Sequence, residues 1–293
     1  MKHFVEAIFA TAVFAGSALA QYNNQPMQPG APPPQAVRPG SINYVEGQVV
    51  ANGQTLGPQA VGHFFLEPNE PLETNNGYAE VLLTPGAFLR IGPNSEIRMT
   101  AIGLADTRIN LLRGNALVEA DQVMPGGHLE VTLGSTSVDL AKKGLYGFAV
   151  NPQDVRVFDG KADVIGMTKS RSIGKHDEIL LADNGQLKKT SFNENQAKHE
   201  PLYAWSEARD REEAAQNKLV AQNPGSYTIG AGGWYWNPYV NYWGFWPSAY
   251  LYSPFGFGFY GGFYPGFYGG YYGGFRGGFV GVHGNGVGGG GRR

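Results

Sequence analysis

The sequence predicts an all-β fold: an antiparallel, hairpin-rich β-roll or sandwich-like module, followed by one α-helix and a disordered Gly/aromatic tail. Three observations predict it. Across residues 41–190 apolar and polar residues alternate in short runs, the period of half-buried strands. The runs recur about every 8 to 12 residues, the spacing of a sandwich, barrel or roll. No helical pattern of about ten residues interrupts them, which argues against alternating β and α units on a parallel sheet.

The elements follow in chain order. Lys2 and His3 precede an apolar run over residues 7–15, then Gly16, Ser17 and Ala18-Leu19-Ala20. Small residues at 18 and 20 fit a signal-peptidase site, so 1–20 reads as a signal peptide with Gln21 as the first mature residue. Residues 21–40 carry Pro26, Pro29, Pro32, Pro33, Pro34 and Pro39 among Gln and Asn. A segment with so little apolar surface cannot offset its ordering entropy and reads as an extended linker.

Residues 41–199 form the expected β domain. Asn52-Gly53, Asn76-Gly77, Pro85-Gly86, Asp159-Gly160 and Asn184-Gly185 punctuate its runs. Asn-Gly and Asp-Gly supply the positive φ angles of tight hairpins. Between them 97–99, 107–112, 116–120, 129–133, 137–140 and 145–150 read as further strands.

Residues 200–222 read as one amphipathic helix, with Pro201 in its first turn and Asn223-Pro224-Gly225 stopping it. Leu202, Trp205, Ala208, Ala215 and Leu219 fall near one face, and Glu207, Arg209, Asp210, Arg211, Glu212 and Glu213 cover the rest. Trp205 is the expected anchor onto the β module. From 223 to 293 the chain is rich in Gly, Tyr, Phe and Trp, lacks Asp, Glu and Lys, and holds three arginines, Arg276, Arg292 and Arg293. Frequent glycine and scarce Val, Ile and Leu predict disorder or loose aromatic contacts, with some tendency to self-associate.

Composition narrows the function. The formal charge of −2 gives no basic field to recruit nucleic acid, and the tail's three arginines make no cationic groove for base stacking. The chain has no cysteine, which removes disulfides, thiolate metal sites and cysteine nucleophiles. No segment reads as transmembrane. There is no nucleophile elbow, phosphate loop or zincin motif. His63, His128, His176, His199 and His283 are scattered and read as solvated turn residues. Asp154, Asp159 and Asp163 flank one expected hairpin but lack the dense spacing and terminal Glu of a calcium loop. Asp159 reads as a turn residue, and Asp154 and Asp163 as solvated. Lys142-Lys143 and Lys188-Lys189 read as solvated faces. No catalytic, cofactor-binding or metal-binding residue is expected, and no cofactor.

Four blocks carry a family resemblance. Val45-Glu46-Gly47-Gln48-Val49 resembles the opening Gly-x-Val of FecR-type modules. Leu72-Glu73-Thr74-Asn75-Asn76-Gly77-Tyr78-Ala79 resembles their Leu-x-Thr-x-x-Gly-x-Ala block. Residues 88–97, with the Asn94-Ser95 pair, resemble the next stretch, and Leu111-Leu112-Arg113-Gly114-Asn115-Ala116 the late Leu-x-x-Gly-x-Ala block. The likeness covers roughly residues 42–150. The helix around Tyr203 and Trp205 and the Gly-Trp-Tyr-Trp-Asn-Pro run look like those of exported FecR-domain proteins of soil bacteria such as acidobacteria. The resemblance implies a periplasmic β module and no catalytic motif. The best-known members control a sigma factor from an inner-membrane anchor, and this chain is expected to lack both their cytoplasmic part and a retained membrane helix.

The function expected is therefore that of a non-enzymatic exported envelope protein, periplasmic or at the cell surface. Its β module would bind an envelope protein or polysaccharide through an exposed strand edge or sheet face. A structural or adhesive surface protein acting through the tail, and a signalling component of a sigma-factor/transporter system, are the alternatives. An enzyme on an unfamiliar β scaffold is a further class, marked by two convergent carboxylates in a pocket.

Overall fold

The computed structural model describes residues 36–181, 186–223 and 233–262. The expected signal peptide and nearly all of the linker lie outside them, as do Asn184-Gly185 and residues 263–293.

Seventeen strands build two stacked sheets. The eight-stranded sheet runs β1 (Ile42–Glu46), β5 (Tyr78–Leu82), β6 (Ala87–Ile91), β9 (Asn115–Ala120), β12 (Gly144–Val150), β13 (Gln153–Asp159), β16 (Asp177–Leu181), β17 (Leu187–Ser191). The nine-stranded sheet runs β15 (Ser170–Gly174), β14 (Lys161–Ile165), β11 (Thr136–Asp139), β10 (His128–Leu133), β8 (Asp106–Arg113), β7 (Ser95–Gly103), β4 (Pro71–Thr74), β2 (Val49–Ala51), β3 (Gln54–Leu56). Two sheets with free end strands make an open roll rather than a closed barrel.

For most of its length the chain lays two strands in one sheet and then two in the other. The turn residues divide accordingly. Asn52 (φ 47) and Gly53 (φ 77) close the β2–β3 hairpin as their positive φ angles predict. Pro85-Gly86 joins the paired strands β5 and β6. Asn76-Gly77 and Asp159-Gly160 do not close hairpins. They carry the chain from one sheet to the other, β4 to β5 and β13 to β14. At this corner Gly77 lies against the Glu46 carbonyl, which a Cβ would strike, and its neighbour Gly47 takes φ 69. Two glycines let two crossovers pass in contact.

All described pairings are antiparallel except β8 with β10. A parallel pair needs a crossover, and here β9, in the opposite sheet, supplies it.

Alternation places the core. Ala79, Val81, Ala87, Leu89, Ile91, Ala116, Val118, Tyr146, Phe148, Val155 and Val157 face inward from the eight-stranded sheet. They meet Val49, Leu72, Ile97, Met99, Ile109, Leu111, Val131, Val138 and Val164 from the other.

The opposite, outer face of the eight-stranded sheet is also buried. Every residue of β6 is buried, and so are the last five of β9. A short helix α1 (Glu194–Ala197) and a long helix α2 (Pro201–Gln222) lead onto this face. Two hairpins complete the cover, β18 (Trp234–Asn237) with β19 (Tyr242–Phe245), and β20 (Leu251–Tyr252) with β21 (Gly258–Phe259). Residues 233–262 therefore depart from the disorder expected of the tail. Trp234, Tyr235, Tyr242, Phe245 and Phe259 are buried, and Trp234 and Phe245 pack with Leu82 and Phe88. Aromatics at tight spacing supply the apolar area that missing Val, Ile and Leu would have given.

Candidate functional site

Between two apolar clusters, the cover meets the sheet through charge. In a strand, residues two apart share a face. Glu80 on β5, Arg90 on β6 and Glu119 on β9 thus all point outward, and Glu80 lies directly across from Arg90. Asp121 continues the line from Glu119. The helix answers with a polar stripe at three- and four-residue spacing: Ser206, Arg209, Asp210, Glu213, Gln216 and Asn217, all buried.

This overturns the expected orientation of α2 beyond its first turns, where Leu202 and Trp205 dock as expected. Ala208, Ala215 and Leu219, assigned to its docked face, are exposed, whereas Arg209, Asp210 and Glu213 are buried. Leu202, Tyr203 and Val220 supply the apolar ends of the interface. Trp205 does anchor the helix. Its ring stacks on Tyr78 at 4.9 Å, and its Nε1 donates to Glu46 Oε2 at 2.9 Å.

Arg90 is the centre of the network and is fully buried. Its Nε donates to Glu80 at 2.8 Å, its Nη1 to Glu119, and its Nη2 reaches Glu213 at 3.4 Å. Arg209 donates to Glu80 and Glu213, each at 3.2 Å, and to the more exposed Glu212 at 2.7 Å. Its guanidinium lies 4.1 Å above the Tyr44 ring and 4.8 Å from that of Tyr242. Asp210 accepts from the Ser253 hydroxyl in the loop between β20 and β21. Neither oxygen of Asp121 has a hydrogen-bond partner among the described residues.

Five carboxyls thus face two guanidiniums out of water: Glu80, Glu119, Asp121, Asp210 and Glu213 against Arg90 and Arg209. Burial opposes ionisation of Glu80, but Arg209 and Arg90 overcome it and hold its carboxyl at about 2. The others lack such compensation. Burial, reinforced by Glu80, pushes Glu213 well above the usual carboxylate range. Burial and the neighbouring Glu119 do the same to Asp121 and Asp210, and burial raises Glu119 itself. Burying charge without a counter-charge is costly enough that groups take up protons instead.

Two asparagines fix the cover in register. Asn43 on β1 accepts from the Trp243 backbone N–H at 2.8 Å and donates to the Trp243 carbonyl at 3.1 Å. Asn217 on α2 donates to the Phe245 and Tyr260 carbonyls at 3.0 and 2.9 Å and accepts from the Tyr260 N–H at 2.6 Å.

A second ionic site lies on the same outer face near the sheet's other end. A cleft of about 200 Å³ is bordered by Phe148, Asp154, Arg156, Phe158, Glu200 and Tyr203. Arg156 donates to Glu178 (2.8 Å), Glu200 (2.7 Å) and Asp154 (3.1 Å), so three carboxylates occupy its fork. Burial raises Asp154 to about 6 in spite of Arg156.

Asp154 is therefore buried, not solvated as its sequence context suggests. Asp159, Asp154 and Asp163 do not flank one hairpin, because β13 and β14 belong to different sheets. Asp159 meets Lys175 at 3.7 Å. His128 pairs with Asp106 at 3.0 Å and His176 with Glu194 at 2.6 Å. His63 and His199 are exposed, and His283 lies outside the described residues. No group of three or more His, Cys, Asp or Glu side chains with metal-binding geometry occurs among the described residues. Lys143, read as part of a solvated pair, donates to the Tyr252 carbonyl and so touches the cover. Lys189 pairs with Asp177 at 2.7 Å.

The fold and site define an all-β two-sheet module whose helix and aromatic hairpins are buried onto one of its sheets. No family model matches the chain, and no curated protein matches it. Among solved structures, two crystal structures of a "putative anti-sigma factor" from Parabacteroides distasonis are similar to part of this chain, at 16% identity and a TM-score of 0.39. Each alignment covers 44% of this chain and 62% of the solved one. A likeness of that size transfers no function. No described helix is long and apolar enough to cross a membrane.

Proposed function

We propose that this chain is a non-enzymatic, exported envelope protein whose β module binds another envelope component at one end of the roll. The observation that carries the reading is the contrast between sheet ends. Strand β1 is held under the cover by the Asn43–Trp243 clamp. Strand β15 ends its sheet with Ser170, Arg171 and Ser172 exposed, beside Ile165 and Met167, which are 44% and 68% exposed. An uncovered edge with apolar residues next to it is the template that an extended strand of a partner would extend. Lys169 and Arg171 on this edge favour an acidic partner segment.

Export rests on the pattern of residues 1–20, and periplasmic or surface location follows from it. The sequence likeness to FecR-type modules is consistent with protein binding. A signalling role beside a sigma factor or transporter remains the alternative that this likeness supports. The adhesive reading loses part of its material, because residues 233–262 turn their rings inward and leave Tyr239, Tyr250, Tyr252 and Tyr260 exposed.

Photo-crosslinkers placed at Met167 and Arg171 in the cell-borne protein test the reading. Capture of one envelope protein or glycan, lost when Ser172→Pro blocks the edge, is the expected result. Equal capture from a crosslinker at Thr55, on the opposite end strand β3, would overturn it.

A further inference from the structure

Burial of five carboxyls with two guanidiniums has a consequence beyond partner binding at β15. We propose that the hairpin cover, residues 233–262, is a pH-released strap: through Ser253 on Asp210 and Tyr242 beside Arg209 it stays on the eight-stranded sheet while the surplus carboxyls buried between the sheet and α2 carry protons, and it comes off in alkali, uncovering the outer face and edge strand β1.

The geometry fixes the charge balance. With every acid ionised the cluster would carry three uncompensated negative charges, in an interface where each of the seven side chains is at most 4% exposed. Glu80 and Glu213 share the same two guanidiniums, and Glu119 and Asp210 each keep one buried oxygen without a hydrogen-bond partner among the described residues. Two carboxylates repel, whereas a carboxyl and a carboxylate sharing one proton attract. The protons are thus part of the glue, and Asp121, with no donor on either oxygen, is the third place for one.

The groups facing the cluster come from every element around it. Tyr44 and Glu46 stand on β1, Glu80 on β5, Arg90 on β6 and Glu119 on β9, with Asp121 just beyond. Arg209, Asp210, Glu212 and Glu213 stand on α2, Tyr242 on β19, and Ser253 in the loop between β20 and β21. Lys143 lies close enough to lower the proton affinity of Asp121 but is outweighed by burial and Glu119. No further cation among these elements neutralises the excess.

The sign follows by linkage. A carboxyl that binds its proton more tightly in the covered state stabilises that state most below the ordinary carboxylate range, and the gain is lost as pH rises through its covered-state value. Glu213, Asp210, Asp121 and Glu119 are of this kind. Glu80 is opposite, and its contribution is lost only in strong acid, as pH falls towards about 2. The strap is therefore firmest in mild acid. Because the cover spans Asn43 and Asn217, its release frees Trp243, Phe245 and Tyr260 together, whereas the core between the sheets holds no member of the cluster.

Hydrogen exchange of the full chain at about pH 5 and about pH 9, expressed as protection factors, tests this. For residues 234–259 protection should drop on the order of tenfold or more per surplus proton released across a pH unit, while β8 and β10 keep theirs. Asp121→Asn and, separately, Asp210→Asn, which fix the neutral form, should each flatten that drop. Unchanged protection of 234–259 at both pH values, an equal loss in β8 and β10, or an unaltered drop in both variants would overturn the proposal.

Discussion

Asn43 holds both backbone polar groups of Trp243, a residue two hundred positions later, through its side-chain oxygen and nitrogen. Asn43 sits on the first strand, is fully buried, and mimics a strand partner for β19 without joining a ladder to it. A single amide thereby closes the end of one sheet and positions an aromatic hairpin. The relationship keeps β1 under the cover, whereas β15 ends its sheet with Ser170, Arg171 and Ser172 exposed.

Asn43→Ala removes that clamp and leaves the Trp243 N–H and C=O buried without partners. An unsatisfied buried group costs about 1–3 kcal/mol. Chemical denaturation followed by tryptophan fluorescence should show a loss of that size. Asn43→Asp should be damaging too, since it keeps an acceptor for the N–H but sets a charge against the Trp243 carbonyl.

Arg90→Ala should be among the most destabilising single changes in the chain. It leaves Glu80 and Glu119 buried without their main counter-charge, and breaking a buried pair in this way costs about 3–5 kcal/mol. Arg90→Lys keeps one charge but cannot serve Glu80, Glu119 and Glu213 together. Urea midpoints should therefore rank wild type above R90K above R90A.

Much of this fold is legible in the sequence, and the reason the rest is not is physical. Period-two runs locate β7 to β14 within a few residues because one face of each strand packs into the shared core. The helix is legible from its proline start and its length. Which face it docks is not, since amphipathic reasoning sends Arg209, Asp210 and Glu213 to solvent, whereas Glu80, Arg90 and Glu119 await them on the sheet. Those three read as ordinary outward strand residues, and only the cover makes them interior. The cover in turn is hidden by its glycines: Gly233 (φ 92) leads into β18, and Gly256 (φ 96) lies in the loop between β20 and β21. Strand β15, Ser-Arg-Ser-Ile-Gly, carries one apolar anchor, Ile173, and too little alternation to be seen. The Asn43-to-Trp243 clamp has no local signal at all.

Trp205→Phe isolates the polar contribution of the helix anchor. The phenyl ring keeps the stack on Tyr78 and the side chain loses its bond to Glu46. A loss of about 1 kcal/mol is expected, with Trp205→Ala costing more because the stacked area goes as well. Thermal unfolding of the two variants side by side measures the difference.

Asp154 should impose its own pH dependence at the other ionic site. Burial raises its folded-state value to about 6 from an ordinary 3.8. Below about pH 4 folded and unfolded chains both hold the proton. Between there and about 6 the unfolded chain gives it up first, so this group's contribution to stability falls as pH rises. Asp154→Asn should flatten that part of the stability profile without touching the strap.

The aromatic segment after α2 is folded against the eight-stranded sheet, with Trp234 and Phe245 packed on Leu82 and Phe88. The direct measurement is amide hydrogen exchange of residues 234–245 in the full chain near pH 5. Slow exchange at Trp243, accelerated by Asn43→Ala, is the result the structure requires. Exchange of the whole segment at the rate of an unstructured peptide would contradict it.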